Sequence, residues 1–159
     1  LELSQFKEAM AKLPTGIAIV TIADNMGKMG MTISTFNSLS LDPMLVMFTL
    51  NLQAKRYKRI ISSEYFVINV LSEDQGAISQ LFALNQHVNW NETEDSSCVG
   101  QGGCPVLKNI TAYFECKLHK ILEGGDHAII VGEVISGRSY DAKPLIYHER
   151  EYTKIHNKF

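Results

Sequence analysis

Between Gly30 and Asn51 the chain reads GMTISTFNSLSLDPMLVMFTLN, and five of the nine residues from Thr32 to Ser40 carry hydroxyls: Thr32, Ser34, Thr35, Ser38 and Ser40. A buried hydroxyl needs a hydrogen-bonding partner, so such a row either lies on the wet face of an edge hairpin or faces a polar ligand. A second group follows in Lys55, Arg56, Lys58 and Arg59, four cations in five residues. These are either a solvated face or, at a helix start, a place where backbone N–H groups and cationic side chains hold a phosphate. The third is the turn Gly124-Gly125-Asp126-His127. Its glycines let the backbone come close to a ligand, and histidine is the side chain best suited to exchange hydrogen bonds near neutral pH. A lone histidine in a turn is also an ordinary surface residue.

Other chemistries find little support. His87, His119, His148 and His156 show no HExxH spacing, and no Ser-His-Asp order is recognisable. Cys98, Cys104 and Cys116 are odd in number and match neither a zinc ribbon nor a CxxC pair. Cys116 falls on the apolar side of an alternating stretch and reads as packing, while Cys98 and Cys104 lie in a glycine-rich segment where exposure is expected. No GxGxxG follows a strand and no GxxxxGK occurs, so neither a Rossmann nor a P-loop site is indicated. Hydrolysis and metal chemistry rank low, and no metal ligand is assigned.

The elements that must position these groups read as mainly β. Ser4 can cap a short helix carrying Phe6, Met10 and Leu13, expected to pack on the sheet and stopped by Pro14 and Gly16. Ile17 to Ile22 is a β-branched strand, turned at Asp24-Asn25-Met26-Gly27 into the hydroxyl-rich stretch. Asp42-Pro43 turns the chain again, and Met44 to Leu50 is apolar enough for a strand buried on both faces. Tyr65 to Leu71 is a strand; Ser72-Glu73-Asp74-Gln75 has capping-box spacing ahead of Ile78, Leu81 and Phe82 at helical intervals. Asn85 to Pro105, with Trp90 and the Gly100–Gly103 cluster, has no period and predicts a long loop, either a lid or a wrap for a partner subunit. Ala112 to Leu118 alternates as a half-buried strand, Ala128 to Ile135 is an apolar strand with a bulge expected at Gly132, and Pro144 to Tyr147 and Tyr152 to Ile155 are short closing strands. Six or seven antiparallel strands and two or three short helices are predicted.

At 159 residues the chain fits a single domain, 1–159, with length enough for a core without staples. A formal net charge of −2 with 20% charged residues offers no electrostatic reason to bind nucleic acid or an anionic membrane. No stretch approaches the roughly 18 uncharged apolar residues of a membrane span. The N-terminus has no signal-peptide pattern, which predicts a cytoplasmic protein with free thiols and leaves the sequons at Asn91 and Asn109 without meaning.

Taken together and in order, several pieces resemble the flavin reductase-like FMN-binding split-barrel family, in particular the reductase components of two-component flavin-dependent monooxygenases. They are Phe6 through Thr15-Gly16 with the strand to Thr21; Gly30-Met31-Thr32; Ser38-Leu39-Ser40-Leu41-Asp42-Pro43; and Phe66 to Leu71 with Asp74-Gln75 and Phe82-Ala83. Further on come Gly103-Cys104-Pro105-Val106-Leu107, Gly125-Asp126-His127 with Gly132-Glu133-Val134, and Pro144 to His148 before Tyr152. The resemblance runs nearly end to end. It implies an α+β, mainly β fold: a six-stranded antiparallel Greek-key split barrel with short flanking helices, forming a homodimer.

The implied activity is hydride transfer from NADH, with NADPH as the alternative donor, to FMN or FAD, and delivery of free reduced flavin to a partner oxygenase acting on an aromatic substrate. On this resemblance Thr32, Ser34, Thr35 and Ser40 line the isoalloxazine and ribityl parts, and Asn51, Gln53, Lys55 and Arg56 hold the phosphate end. Phe82 would meet an adenine if FAD is used; Asp126, His127 and Tyr152 would face the nicotinamide. Since flavin and nicotinamide carry the chemistry, no acid–base residue is expected to be essential, and His127 is expected to position the nicotinamide. Two departures stand out: Leu52-Gln53-Ala54-Lys55-Arg56 replaces a loop usually rich in Ser and Thr, and Met44 stands where a second Pro is common. The rival reading is a tightly bound flavin or haem carrier of the same fold without nicotinamide-dependent activity. A pyridoxamine-phosphate-oxidase-like enzyme is a third.

Overall fold

The computed structural model describes residues 1–84 and 86–156. In order these form α1 (Leu3–Ala11), β1 (Thr15–Gly16), β2 (Ala18–Asp24), β3 (Gly27–Ile33), β4 (Asn37–Leu41), β5 (Met44–Asn51), α2 (Tyr57–Ile61) and β6 (Tyr65–Val70). There follow α3 (Gly76–Ala83), α4 (Trp90–Thr93), β7 (Glu94–Val99), β8 (Pro105–Leu107), β9 (Ala112–Gly124), β10 (His127–Ser139), β11 (Ile146–His148) and β12 (Glu151–Thr153). The main sheet has seven strands, one more than the six of the implied fold, in the order β3-β2-β6-β9-β10-β5-β4, with antiparallel pairing throughout.

That sheet has to curl. Laid flat, seven strands at about 4.8 Å spacing would hold the edges β3 and β4 about 29 Å apart. The three residues 34–36 that join them reach at most about 14 Å. The curl wraps an interior cluster drawn from strands across the whole sheet, including Val20 and Ile22 of β2, Ile33 of β3, Phe48 and Leu50 of β5, Phe66 and Ile68 of β6, and Ile130 of β10. The bulge expected at Gly132 is present as a register shift between Val131 and Gly132. A Cβ at Gly132 would lie 2.4 Å from the Phe66 ring, so glycine lets that ring into the interior.

A second cluster covers the outer face: Ile19, Val67 and Leu71 from the sheet, Phe82 from α3, and Val106, Leu107 and Leu145. It explains why Ala18 to Ile22 is buried without alternation, since β2 has a core on each side. β5 differs from expectation: only alternate residues Val46, Phe48 and Leu50 are buried, because its outer face lies beside the edge strand and is not covered.

Several local expectations are corrected. Glu2, not Ser4, caps α1, with the Gln5 side chain accepting from the Glu2 N–H at 3.0 Å. No residue of α1 is buried, and Phe6 and Met10 are each 50% exposed rather than packed into the sheet. The Ser72–Gln75 spacing forms only half a capping box. Gln75 Oε1 accepts from the Ser72 N–H at 3.0 Å, but the residues make a turn and α3 begins at Gly76. The expected loop holds α4, β7 and β8; Asn85, its first residue, lies outside the described residues. Two fully buried polar side chains pin it to the sheet. Thr21 Oγ1 donates to the Pro105 carbonyl at 2.5 Å, and Asn69 Oδ1 accepts from the Leu107 N–H at 2.8 Å. Cys104, expected exposed, is buried there, and burial pushes its thiol pKa up.

Candidate functional site

The hairpin β9–β10 closes through Gly125 and Asp126, with Gly125 at φ +74°. Only the first central residue is left-handed, the pattern of a type II′ turn. This tight closure delivers Asp126 and His127 to the end of β10 directly opposite Asn51, the last residue of β5, with which His127 pairs in register. The Leu52 N–H donates to the Asp126 carbonyl at 3.0 Å, tying the turn to the chain leaving β5. Asn51 Oδ1 accepts from the Gln53 N–H at 2.8 Å, an Asx turn that redirects the chain toward Lys55 and Arg56. His127 Nδ1 lies 2.7 Å from Asp126 Oδ1, and this hydrogen bond holds the Asp126 carboxyl below its usual range. Asn51 and Gln53 from one part of the sequence and Asp126 and His127 from another thus share one corner of the sheet.

The hydroxyls divide. Ser34 and Thr35 line a groove of about 970 Å³, opposite Phe6 and Met10 of α1 and beside Asn37, Tyr147 and Arg150. Thr35 Oγ1 accepts from the Thr49 N–H at 2.9 Å, which fastens the link between β3 and β4 onto β5. Ser40 lies further along the edge, opposite Leu45 and just past a register shift. Thr32 turns instead toward α3, donating to the Ser79 carbonyl at 2.6 Å. Tyr152 Oη donates to Ser79 Oγ at 2.8 Å, so Thr32 and Tyr152 meet through a buried serine that the sequence pattern does not mark. Tyr152 belongs to the small sheet β1-β11-β12, whereas His127 belongs to the main sheet.

The cations border two adjoining hollows of about 470 and 370 Å³, both touched by Lys55 and Arg56. Arg56 Nη1 donates to the carbonyls of Gly30 and Phe82, each at 2.6 Å, and burial lowers its pKa from the ordinary arginine value. Its guanidinium therefore braces β3 against α3 while its edge borders the hollows. Lys28, Arg59, His87 and Trp90 complete the larger one. Phe82, expected against an adenine, is fully buried: its ring lies 5.6 Å from that of Trp90, and a Cβ at Gly30 would stand 2.5 Å from it. Core packing occupies the ring, and the aromatic that borders the hollow is Trp90.

Apolar walls, hydroxyls and a cationic end, with no glycine-rich phosphate loop, suit a planar ligand that carries phosphate. In the groove, Ser34, Thr35 and Asn37 could hold the polar edge of a flavin ring; Lys55, which lines the separate hollows, could hold a phosphate. The class defined by this fold is a mainly β domain built on a curled antiparallel sheet with grooves lined by hydroxyls and cations. Residues 10–156 match the flavin reductase like domain, and the chain belongs to that family. It is 37% identical over 152 residues to a probable flavin reductase of Rhizobium meliloti, covering 92% of this chain and 47% of that protein. The chain thus spans about half the length of that relative. It is 34% identical over 146 residues to the FMN reductase (NADH) SmoA of Agrobacterium fabrum, covering 89% of this chain and 80% of the relative. Among solved structures, the flavin reductase HpaC complexed with NADP+ superposes with a TM-score of 0.85 at 38% identity, covering 97% of this chain and 98% of that one.

Proposed function

We propose that this chain is a nicotinamide-dependent flavin reductase that hands free reduced flavin to a partner monooxygenase acting on an aromatic substrate. The observation that carries the reading is the meeting of the Gly-Asp-His turn with Asn51 and the cationic stretch, in a chain of the flavin reductase family. A bound flavin would supply the redox chemistry by accepting a hydride from the nicotinamide. The protein's task is then to stack and orient. Ser34, Thr35 and Ser40 offer hydrogen bonds along the flavin ring and ribityl chain; Asn51, Gln53, Lys55 and Arg56 lie at the phosphate end. His127, oriented by Asp126, would position the nicotinamide against the flavin. Thr32 and Tyr152 act indirectly, by fixing β3 and β12 to α3 through Ser79.

NADH is the proposed donor, as the name of SmoA supports, with NADPH as the alternative that HpaC's NADP+ complex supports. We read FMN and FAD as both accepted. The curled sheet is proposed to be the family's split barrel, and the working form a homodimer joined through exposed Leu39, Leu41 and Met44 at the β4–β5 edge. Its three free cysteines suit the cytoplasm. The test is NADH oxidation by desalted protein with and without added FMN or FAD. Turnover that requires added flavin is expected; a flavin or haem that survives desalting and is not reduced by NADH would sink the reading in favour of a carrier.

A further inference from the structure

The 970 Å³ groove beside α1 is lined by two cations, Lys7 and Arg150, and by no carboxylate. Neither cation takes part in an ion pair among the described residues. Arg150 has a further peculiarity. The two-residue turn between β11 and β12 is left-handed at both positions, with Glu149 at φ 51° and Arg150 at φ 68°. Such turns favour Asn-Gly, because side chains with a Cβ are strained there. Glu149 is compensated: its N–H donates to the Ala11 carbonyl at 2.9 Å and its carboxylate pairs with Lys12 at the end of α1. Among the described residues the Arg150 guanidinium has no such bond, and it stands at a turn position where glycine fits better.

A cation without an ion pair, held at a strained turn position beside a groove without carboxylates, points to use by an anionic ligand. A second hollow also touches Arg150, but Glu8, Lys12 and Glu149 line it too, and its charges cancel. Only the groove side offers an anion a net attraction. There Arg150 stands near Phe6, Phe36 and Tyr147, which provide flat apolar walls, and near the hydroxyls of Ser34 and Thr35. We infer that Arg150, assisted by Lys7, binds the phosphate of a nucleotide seated in this groove, and that Arg150 is a specificity residue for phosphorylated over unphosphorylated ligand. The guanidinium fork suits two phosphate oxygens at once. The inference rests on the reductase reading. With the flavin phosphate assigned to Lys55 and Arg56, the phosphate at Arg150 is that of the nicotinamide dinucleotide.

Arg150→Gly and Arg150→Lys test it, with FMN, riboflavin and NADH as probes. Arg150→Gly relieves the turn, so its Tm is expected to match or exceed that of the parent while affinity for the phosphorylated ligand falls about tenfold. Arg150→Lys keeps the charge and is expected to recover part of that loss. Unchanged flavin binding with a higher KM for NADH is the expected result; a collapse of the preference for FMN over riboflavin would put the flavin phosphate at Arg150 and overturn the assignment. Unchanged binding of both in Arg150→Gly, an equal loss for riboflavin and FMN accompanied by a lower Tm, or an Arg150→Lys variant as weak as Arg150→Gly would overturn the inference. A parent protein that never oxidises NADH would instead fail the reductase reading itself.

Discussion

His127 and Asp126 form the tightest polar pair at the corner where β5 ends, 2.7 Å apart and open to solvent at 40% and 85% of their side-chain surface. That exposure suits a group that meets a transient cosubstrate better than one that shuttles protons in a closed cavity. His127→Ala is therefore expected to raise KM for NADH about tenfold, ~1.4 kcal/mol of lost binding, with a smaller fall in kcat. Steady-state kinetics check this, and unchanged kcat and KM would remove His127 from the site. Burial pushes the Cys116 thiol up to about 12 and Cys104 in the same direction, while Cys98 sits 3.4 Å from the Tyr113 hydroxyl, which raises that tyrosine to about 12.

Elements with a strict local period are legible in the sequence. Alternation from Ala112 and the Gly-Gly-Asp turn define the β9–β10 hairpin, and with it the corner that holds His127. What local pattern does not carry is tertiary compensation. Residues 86–107 look like loop because the bonds that pin them to the sheet go to Thr21 and Asn69, far away in sequence. Ser79 looks like filler on a helix, though it joins Thr32 to Tyr152. Arg150 gives no signal, because Glu-Arg is no turn signature. Gly132 is the clearest case of an element shaped by one residue: Gly132→Ala should clash with Phe66 and cost about 2 kcal/mol. Urea unfolding would show this as a lower midpoint with an unchanged slope, and an unchanged midpoint would mean that the bulge can move.

At the scale of the whole molecule, the short link between β3 and β4 forces the sheet to close on itself, and the closure leaves apolar side chains outside. Leu41 is 89% exposed, Met44 59% and Leu39 50%. The proposed homodimer would cover these side chains. Analytical ultracentrifugation is expected to find a dimer, and Leu41→Asp to shift it toward monomer; a parent protein that is monomeric at micromolar concentration would contradict the assembly. The most direct test of the reductase reading is anaerobic mixing of the protein with FMN and NADH carrying deuterium at the transferred C4 position. The yellow absorbance of oxidised flavin should bleach only when protein and NADH are both present, and more slowly with deuterium than with hydrogen. Flavin that stays oxidised while NADH is untouched would contradict it.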